Sequence, residues 1–306
     1  MRKALWWSLQ LAVAGIVAWF AWSAIVRDWT EFRSMRISLS LQFGWIAASV
    51  LAVLLSYVAS VEAWRRVLAG WNQHLAYGRA VQIWLVANLG RYLPGKVWSV
   101  AGLMVLAQRA GVAAWAAGAS AFAIQAVAIG TAVVLVAAAT PGATSPLRLA
   151  AAGLASVIMI AILSWGRAMR LLAKVAGKGG SPQIEPLPAA AVAWSSALGV
   201  IAWMAHGAAF WLLARGLGLQ GDLSLITAAG VFPLGYLLGL LALFAPGGVG
   251  VREVVLIGLL APVLGSGPAV ALSIASRILL TVTEVVAPLC VLLFTGMGKE
   301  EVSVRP

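Results

Sequence analysis

The sequence predicts an all-α polytopic membrane protein with two inverted repeats, about six full spans and two helical hairpins that enter the membrane and return. Three observations predict this fold class. The 306 residues are 62% hydrophobic and 10% charged with a mean hydropathy of +0.98, which leaves too few polar residues to cover a water-soluble globule. Several apolar runs reach the roughly 20 residues that a helix needs to cross a bilayer. Two of the eight apolar segments are interrupted, at Pro94-Gly95 and at Pro246-Gly247.

Six apolar runs are long and uninterrupted enough to be full spans. The first follows Arg2 and Lys3, as the apolar core of a secretory signal does. Its length and the lack of an A-x-A cleavage site favour a span that is not removed. The six predicted spans are residues 5–26, 41–61, 112–139, 147–165, 189–213 and 268–294.

The two interrupted regions, residues 80–107 and 223–264, predict broken helices. Proline and glycine end a helix and free backbone groups that hydrocarbon cannot satisfy, so such breaks survive where they line a protein-enclosed or watery cavity. The two arms around Pro94 have about 14 and 11 residues and rise roughly 21 and 16 Å, about half of a 30 Å core. These lengths predict a re-entrant hairpin. In the second region, residues 223–244 are long enough to cross alone, so both arrangements stay open there.

The distribution of positive charge supports this topology. The net charge is +12, and cytoplasmic loops collect Lys and Arg. If both broken regions return to the side from which they enter, the opposite loops hold fewer cations, partly offset by acids. The termini and the 166–188 loop are then cytoplasmic, in a bacterial-type inner membrane. The cations predicted on that side are Arg2, Lys3, Arg65, Arg66, Arg79, Arg109, Arg167, Arg170, Lys174, Lys178, Lys299 and Arg305.

The same charge pattern argues against a nucleic-acid partner. The cations lie at the ends of apolar runs and not along an interleaved basic and aromatic surface. Tryptophans, Trp64 and Trp71 among them, also cluster near the predicted span ends, where an indole buries its ring and keeps its N–H in water. We therefore expect them to be interfacial anchors.

An internal repeat follows when the two breaks are superimposed. Pro94 and Pro246 are 152 residues apart, and this offset brings residues 41–61 onto 189–213 and 112–139 onto 268–294. Gln125 then falls on Arg277, at equivalent depths in otherwise apolar helices. Each half contains three spans and one broken region, and an odd span count inverts the second half relative to the first. The prediction is one integral membrane domain, with repeats at about 1–144 and 145–306.

The two breaks also carry a family resemblance. The motif GRYLPGKV at residues 90–97, followed by APGGVGVRE at 245–253, resembles the paired signatures of the flippase-like integral membrane proteins. That family includes the transmembrane part of lysylphosphatidylglycerol synthase and its stand-alone relatives. The resemblance implies translocation of a lipid across the cytoplasmic membrane: a phospholipid, an aminoacyl-phospholipid or a polyprenyl-phosphate-linked lipid. After Phe294 only a short tail remains in this sequence, so we expect neither the aminoacyl-transferase domain nor any enzymatic activity.

The residues at the breaks are the candidate substrate site. A helix that restarts after Pro-Gly presents free N–H groups and the positive end of its dipole, which together suit a phosphate oxygen. The alternative is that the neighbouring cations simply extend to lipid headgroups. The candidate substrate-binding residues are Arg91, Pro94, Gly95, Lys96, Pro246, Gly247, Gly248, Gly250 and Arg252.

Three further charges, Glu253, Arg277 and Glu284, are candidates for coupling or for ion pairs. Arg277 and Glu284 lie two turns apart on one face of the last span, so both can line one cavity. Glu284 either forms an ion pair with Arg91 or Arg252 or carries a proton. Glu253 either caps its helix or carries a proton. If transport is coupled to protons, the two glutamates are the expected carriers.

Other functional classes fit the sequence less well. A small-solute secondary transporter would share the inverted repeats and broken helices, and a membrane subunit of a lipid or glycosyl transferase system is a further alternative. An enzyme is disfavoured because HExxH, GxSxG and clustered acidic motifs are absent from the sequence. His74 and His206 are too few and too separated to predict a metal centre, and no cofactor is expected. The expected partners are a membrane lipid and either a second copy of the chain or a lipid-modifying enzyme.

Overall fold

A computed structural model describes residues 40–93, 97–139, 150, 152–156, 158, 186–219, 221–241 and 250–295. Within these ranges the regular structure is helical, without β-strands. The described residues at 150, 152–156 and 158 are helical. Eight longer α-helices have their bounds within the described part of the chain. They are α1 (Phe43–Ala69), α2 (Tyr77–Asn88), α3 (Trp98–Arg109), α4 (Ala114–Ala139), α5 (Ala189–Gly216), α6 (Leu225–Leu241), α7 (Val251–Leu264) and α8 (Ser266–Thr295).

Four of the described helices, α1, α4, α5 and α8, are long and apolar enough to cross a membrane. They have 26 to 30 residues and confirm the helices predicted at 41–61, 112–139, 189–213 and 268–294. The protein is therefore a multi-pass membrane protein. The predicted span at 5–26 lies outside the described residues, as does most of the one at 147–165.

Each predicted broken region contains two shorter helices that pack against each other, α2 with α3 and α6 with α7. α2 ends in a 3-10 turn, Leu89–Tyr92, after which Leu93 is extended with φ −81° and ψ 143°. This is the conformation that a residue before proline prefers, because the proline ring clashes with a helical predecessor. Residues 94–96 and 242–249, which carry the predicted breaks themselves, lie outside the described residues.

Two glycines have a specific role beside the breaks. A Cβ atom at Gly90 would lie 2.6 Å from the backbone nitrogen of Ser99, so only glycine lets the 3-10 turn lie this close to the first turn of α3. Gly250, immediately before α7, has φ +84°, a conformation that other residues rarely adopt. The sequence thus fixes the backbone on the described side of each break.

Small residues bring the long helices together. α1 packs along α5 in the most extensive helix–helix contact of the described residues, and Ser49 Oγ donates to the Ala209 carbonyl across it at 2.6 Å. α5 and α6 meet at Gly207, where an added Cβ would lie 2.4 Å from the Cα of Ala229. Close backbone contact of this kind supplies the dispersion energy that associates helices in a membrane.

Two clusters of buried apolar side chains form the core. One surrounds Trp64 and Leu103 in the first half of the chain, and the other surrounds Phe210 and Leu256 in the second half. Trp64 is fully buried and donates from Nε1 to Ser120 Oγ at 3.1 Å, so its prediction as an interfacial anchor is wrong. Its indole instead links α1 to α4.

Candidate functional site

A cavity of about 580 Å³ lies among the helices and is lined by residues from all eight of the described helices and from the 3-10 turn. Its volume is within the range of small-molecule binding sites. The wall is mainly apolar, with a few polar side chains that converge on it. The charged lining residues are Arg91, Arg252, Arg277 and Glu284.

The first charged contact joins the 3-10 turn to α8. Arg91 Nη1 donates to Glu284 Oε1 at 2.5 Å, and Arg91 Nη2 donates to Asn88 Oδ1 at 3.1 Å. Tyr92 donates its hydroxyl hydrogen to the other carboxylate oxygen, Glu284 Oε2, at 2.8 Å. The sequence allowed two partners for Glu284, and in the structure it pairs with Arg91. Both oxygens of this carboxylate are engaged.

The second charged contact joins α7 to α8. Arg277 Nη1 donates to Glu253 Oε1 at 2.6 Å, and the backbone N–H of Gly250 donates to Glu253 Oε2 at 2.7 Å. A glutamate three residues into a helix commonly reaches back to the N-cap amide in this way, so the predicted capping role is confirmed. Glu253 thus caps α7 and neutralises Arg277 at the same time.

Arg252 differs from these two arginines. It is 9% exposed, and within the described residues it has no carboxylate at salt-bridge distance. Its Nη2 donates to Ser276 Oγ at 3.4 Å, its Nε has no hydrogen-bond partner there, and its guanidinium carbon lies 4.8 Å from the centre of the Phe232 ring. Among the residues that the structure describes, Arg252 therefore brings to the cavity wall a positive charge without an ion-pair partner.

Comparison with known families shows the family to which the chain belongs. A family model for the lysylphosphatidylglycerol synthase TM region matches residues 7–287. The chain belongs to this family. None of the curated proteins compared with the chain matches it.

In this member of the family, a cluster of aromatic side chains lies beside Arg252 at the cavity. Trp203 and Tyr236 meet edge to face with ring centres 5.0 Å apart, and His206 stacks on Phe232 at 5.3 Å with an interplanar angle of 19°. Tyr57 of α1 lies edge to face with His206 at 6.2 Å. None of these residues is among the site residues predicted from the sequence. His206 carries a signal that could have found it, a histidine inside an apolar span, because intramembrane polar groups are costly.

The other predicted site residues occupy different places. Gly250 is exposed at the start of α7. Pro94, Gly95, Lys96, Pro246, Gly247 and Gly248 lie outside the described residues. Val97, which follows the first gap, and Leu241, which precedes the second, line the cavity. Gln125 and Arg277, which the repeat offset superimposes, also line this same cavity.

Proposed function

We propose that this protein is a lipid translocase that moves an anionic or phosphate-bearing lipid across the cytoplasmic membrane. The observation that carries the proposal is Arg252, a buried cation in the cavity wall without a carboxylate partner in the described residues. An uncompensated intramembrane charge is costly and is a functional candidate by default. A lipid phosphate supplies the missing negative charge together with oxygens that accept from the guanidinium.

The charge balance of the cavity supports an anionic ligand. Glu284 neutralises Arg91 and Glu253 neutralises Arg277, so these two pairs contribute no net charge. Arg252 leaves one positive charge in excess among the described residues of the site. The rest of the wall is apolar and suits the acyl chains of a lipid. A small polar solute has no acyl chains to place against it.

The proposal includes a topology. Both broken regions enter the membrane and return, the two repeats are inverted, and both termini are on the cytoplasmic side of an inner membrane. The packing of α2 on α3 and of α6 on α7 supports the first point. α2 has 12 residues, a rise of about 18 Å, which is too short to cross a core of about 30 Å.

Cysteine labelling tests this topology. Ser181→Cys is introduced into a Cys290→Ser background, so that the new cysteine is the one thiol in the sequence. In intact cells an impermeant thiol reagent should leave the new cysteine unlabelled and should label it after the membrane is permeabilised. Labelling from outside the cell would contradict the cytoplasmic placement of the 166–188 loop.

The proposal contains no covalent step, so the lipid leaves the protein unchanged. A lipid-modifying enzyme, or a second copy of the chain, is the proposed protein partner.

Vesicle transport tests the role of Arg252. The purified chain is placed in phosphatidylcholine vesicles with fluorescent phosphatidylglycerol, and the accessible fluorophore is bleached from outside. Loss of a charge-assisted contact of roughly 1.5–3 kcal/mol should slow transport about 10-fold or more in Arg252→Gln. Lys96→Gln should behave alike and Arg91→Gln more weakly.

A matched control comes from Arg215, an exposed arginine that lies over Trp211 at the end of α5 and does not line the cavity. Arg215→Gln removes the same charge from the chain and should transport at the wild-type rate. A folded Arg252→Gln protein with unchanged transport would remove Arg252 from the mechanism.

A further inference from the structure

His206 is a titratable side chain of the cavity that the proposed anion site does not use. It projects from the middle of α5 among the rings of Tyr57, Trp203 and Phe232. Both ring nitrogens have a polar neighbour: Nδ1 lies 3.0 Å from the Ala202 carbonyl and Nε2 lies 3.2 Å from Ser56 Oγ.

These neighbours accommodate both protonation states of the imidazole. The carbonyl of Ala202 only accepts, so Nδ1 carries a hydrogen and donates it. The Ser56 hydroxyl donates to the Val53 carbonyl at 2.6 Å, which leaves its oxygen free to accept from a protonated Nε2. When Nε2 loses its proton, the Ser56 hydroxyl can turn and donate to it instead. One hydroxyl rotation therefore satisfies the neutral and the charged ring, as a reversible proton site requires.

The charges around His206 determine when it is protonated. The other ionisable groups that line the cavity are Tyr57 of α1, Arg91 and Tyr92 of the 3-10 turn, Tyr236 of α6, Arg252 of α7, and Arg277 and Glu284 of α8. Glu284 is neutralised by Arg91, and Arg277 by Glu253. Arg252 remains, and it contacts the same Phe232 ring on which His206 stacks. Its positive charge opposes a second one on the imidazole until an anion compensates it.

We infer that His206 is the proton-binding residue of this transporter and that it takes up a proton when an anionic headgroup binds beside Arg252. The inference rests on the proposed function. It assigns coupling to a residue other than Glu253 and Glu284, whose carboxylate oxygens are each engaged by a donor. Because binding free energies are reciprocal, protonation of His206 also strengthens the binding of the anion.

Binding of an anionic lipid together with a proton leaves the net charge of the cavity unchanged. An anionic headgroup brings one negative charge and the proton brings one positive charge, so the loaded cavity has the same net charge as the empty one. Loading therefore avoids a change of buried charge in the membrane, which is the costly step for an ion in hydrocarbon.

The chain contains two histidines, which makes a direct test possible. His74→Gln leaves His206 as the sole imidazole, and nitrogen NMR of the histidine-labelled chain in lipid nanodiscs then reports its protonation. With phosphatidylglycerol added to phosphatidylcholine, the pH of half-protonation should rise by about one unit, a tenfold gain in proton affinity. The added Arg252→Gln change should abolish this dependence on lipid.

The reciprocal variant supplies the control for surface potential. His206→Gln leaves His74, which is exposed and outside the cavity, so its titration reports the effect of the anionic surface alone. His206 must shift beyond this reference. In vesicles, a pH gradient should accelerate lipid transport by the wild type and by His74→Gln but not by His206→Gln.

The outcomes separate the two proposals. Lipid transport that requires Arg252, with a His206 titration no different from that of His74, overturns the coupling inference and leaves the translocase proposal standing. Failure of the wild-type chain to bind or transport anionic lipid overturns both. The NMR experiment retains the wild-type His206, so it gives a result even if His206→Gln does not fold.

Discussion

Each of the two broken regions is attached to α8 by an ion pair, and the cation and the anion exchange places between the two pairs. In the first, the broken region contributes the cation, Arg91, and α8 contributes the anion, Glu284. In the second, the broken region contributes the anion, Glu253, and α8 contributes the cation, Arg277. In each case the second carboxylate oxygen accepts one further hydrogen bond, from Tyr92 in the first and from the Gly250 amide in the second.

The two regions differ in the charge that remains after each ion pair is counted. Beside its pair, the second region also places Arg252 in the cavity wall, and within the described residues this arginine has no ionic partner. The described part of the first region contributes Arg91 alone, and that charge is neutralised. The two halves thus share an attachment, while the described excess charge belongs to the second half. Variants that break one attachment at a time test this comparison.

The largest effect on stability is expected from Glu253→Ala. The change removes the carboxylate that pairs with Arg277, whose side chain is 9% exposed, and it also removes the cap of α7. Breaking a buried ion pair from one side typically costs about 3–5 kcal/mol. Thermal and denaturant unfolding in detergent should both report a loss of this size.

A smaller loss is expected from Glu284→Ala, near the low end of about 3–5 kcal/mol. Arg91, which this change leaves without a carboxylate, is 29% exposed to the cavity, so water can solvate it in part. Replacement of both residues in Arg91→Leu, Glu284→Leu should recover much of the stability, because no buried charge is then left alone. A double variant less stable than Glu284→Ala would contradict this account.

Glu62→Ala is the matched control for both glutamates. Glu62, whose side chain is 22% exposed, accepts hydrogen bonds near the end of α1 from Arg65 and Arg66, which are 31% and 50% exposed. Exposed ion pairs contribute roughly 0–1 kcal/mol, so this variant should unfold close to the wild type. An equal loss in Glu62→Ala and Glu253→Ala would show that burial does not distinguish the attachments.

The smallest effect is expected from Tyr92→Phe. This change keeps the ion pair and removes one hydrogen bond to Glu284, a neutral donor on a charged acceptor worth roughly 1.5 kcal/mol. The unfolding free energy should fall by about that amount, and transport should continue. A loss as large as that of Glu284→Ala would mean that the hydroxyl, and not Arg91, holds the first region to α8.

The sequence predicts the helices better than their contacts. Apolar length locates α1, α4, α5 and α8, but it places the end of α1 at residue 61 where the helix continues to Ala69. Glu62, Arg65 and Arg66 end the apolar run without ending the helix, because charged residues with good helix propensity extend it beyond the hydrocarbon. Hydropathy therefore predicts the membrane-embedded part and not the whole helix.

A site residue can be predicted from the sequence only where its own residue type and position indicate a function. Intramembrane charge marks Arg252, Arg277 and Glu284 as candidates, and the structure brings all three to one cavity. The pairing of Arg277 with Glu253 depends on how α7 meets α8, for which the sequence carries no local signal. His206 carries a local signal, a polar ring inside an apolar span, but its contact with Ser56, 150 residues away in the chain, does not follow from the sequence.

The contact of α5 with α6 at Gly207 restricts how the cavity can widen. With the backbones this close, the helices cannot slide without a clash, so we expect their relative motion to be a rotation about that point. Leu241 at the end of α6 is 12 residues from Ala229, about 18 Å along the axis, and a tilt of about 10° displaces it by roughly 3 Å. Spin labels at the two ends of α6 would record unequal displacements relative to α5 if this pivot operates and equal ones if the helix slides. With such a pivot, a single glycine would make Leu241, at the end of α6, move farther than the start of the same helix.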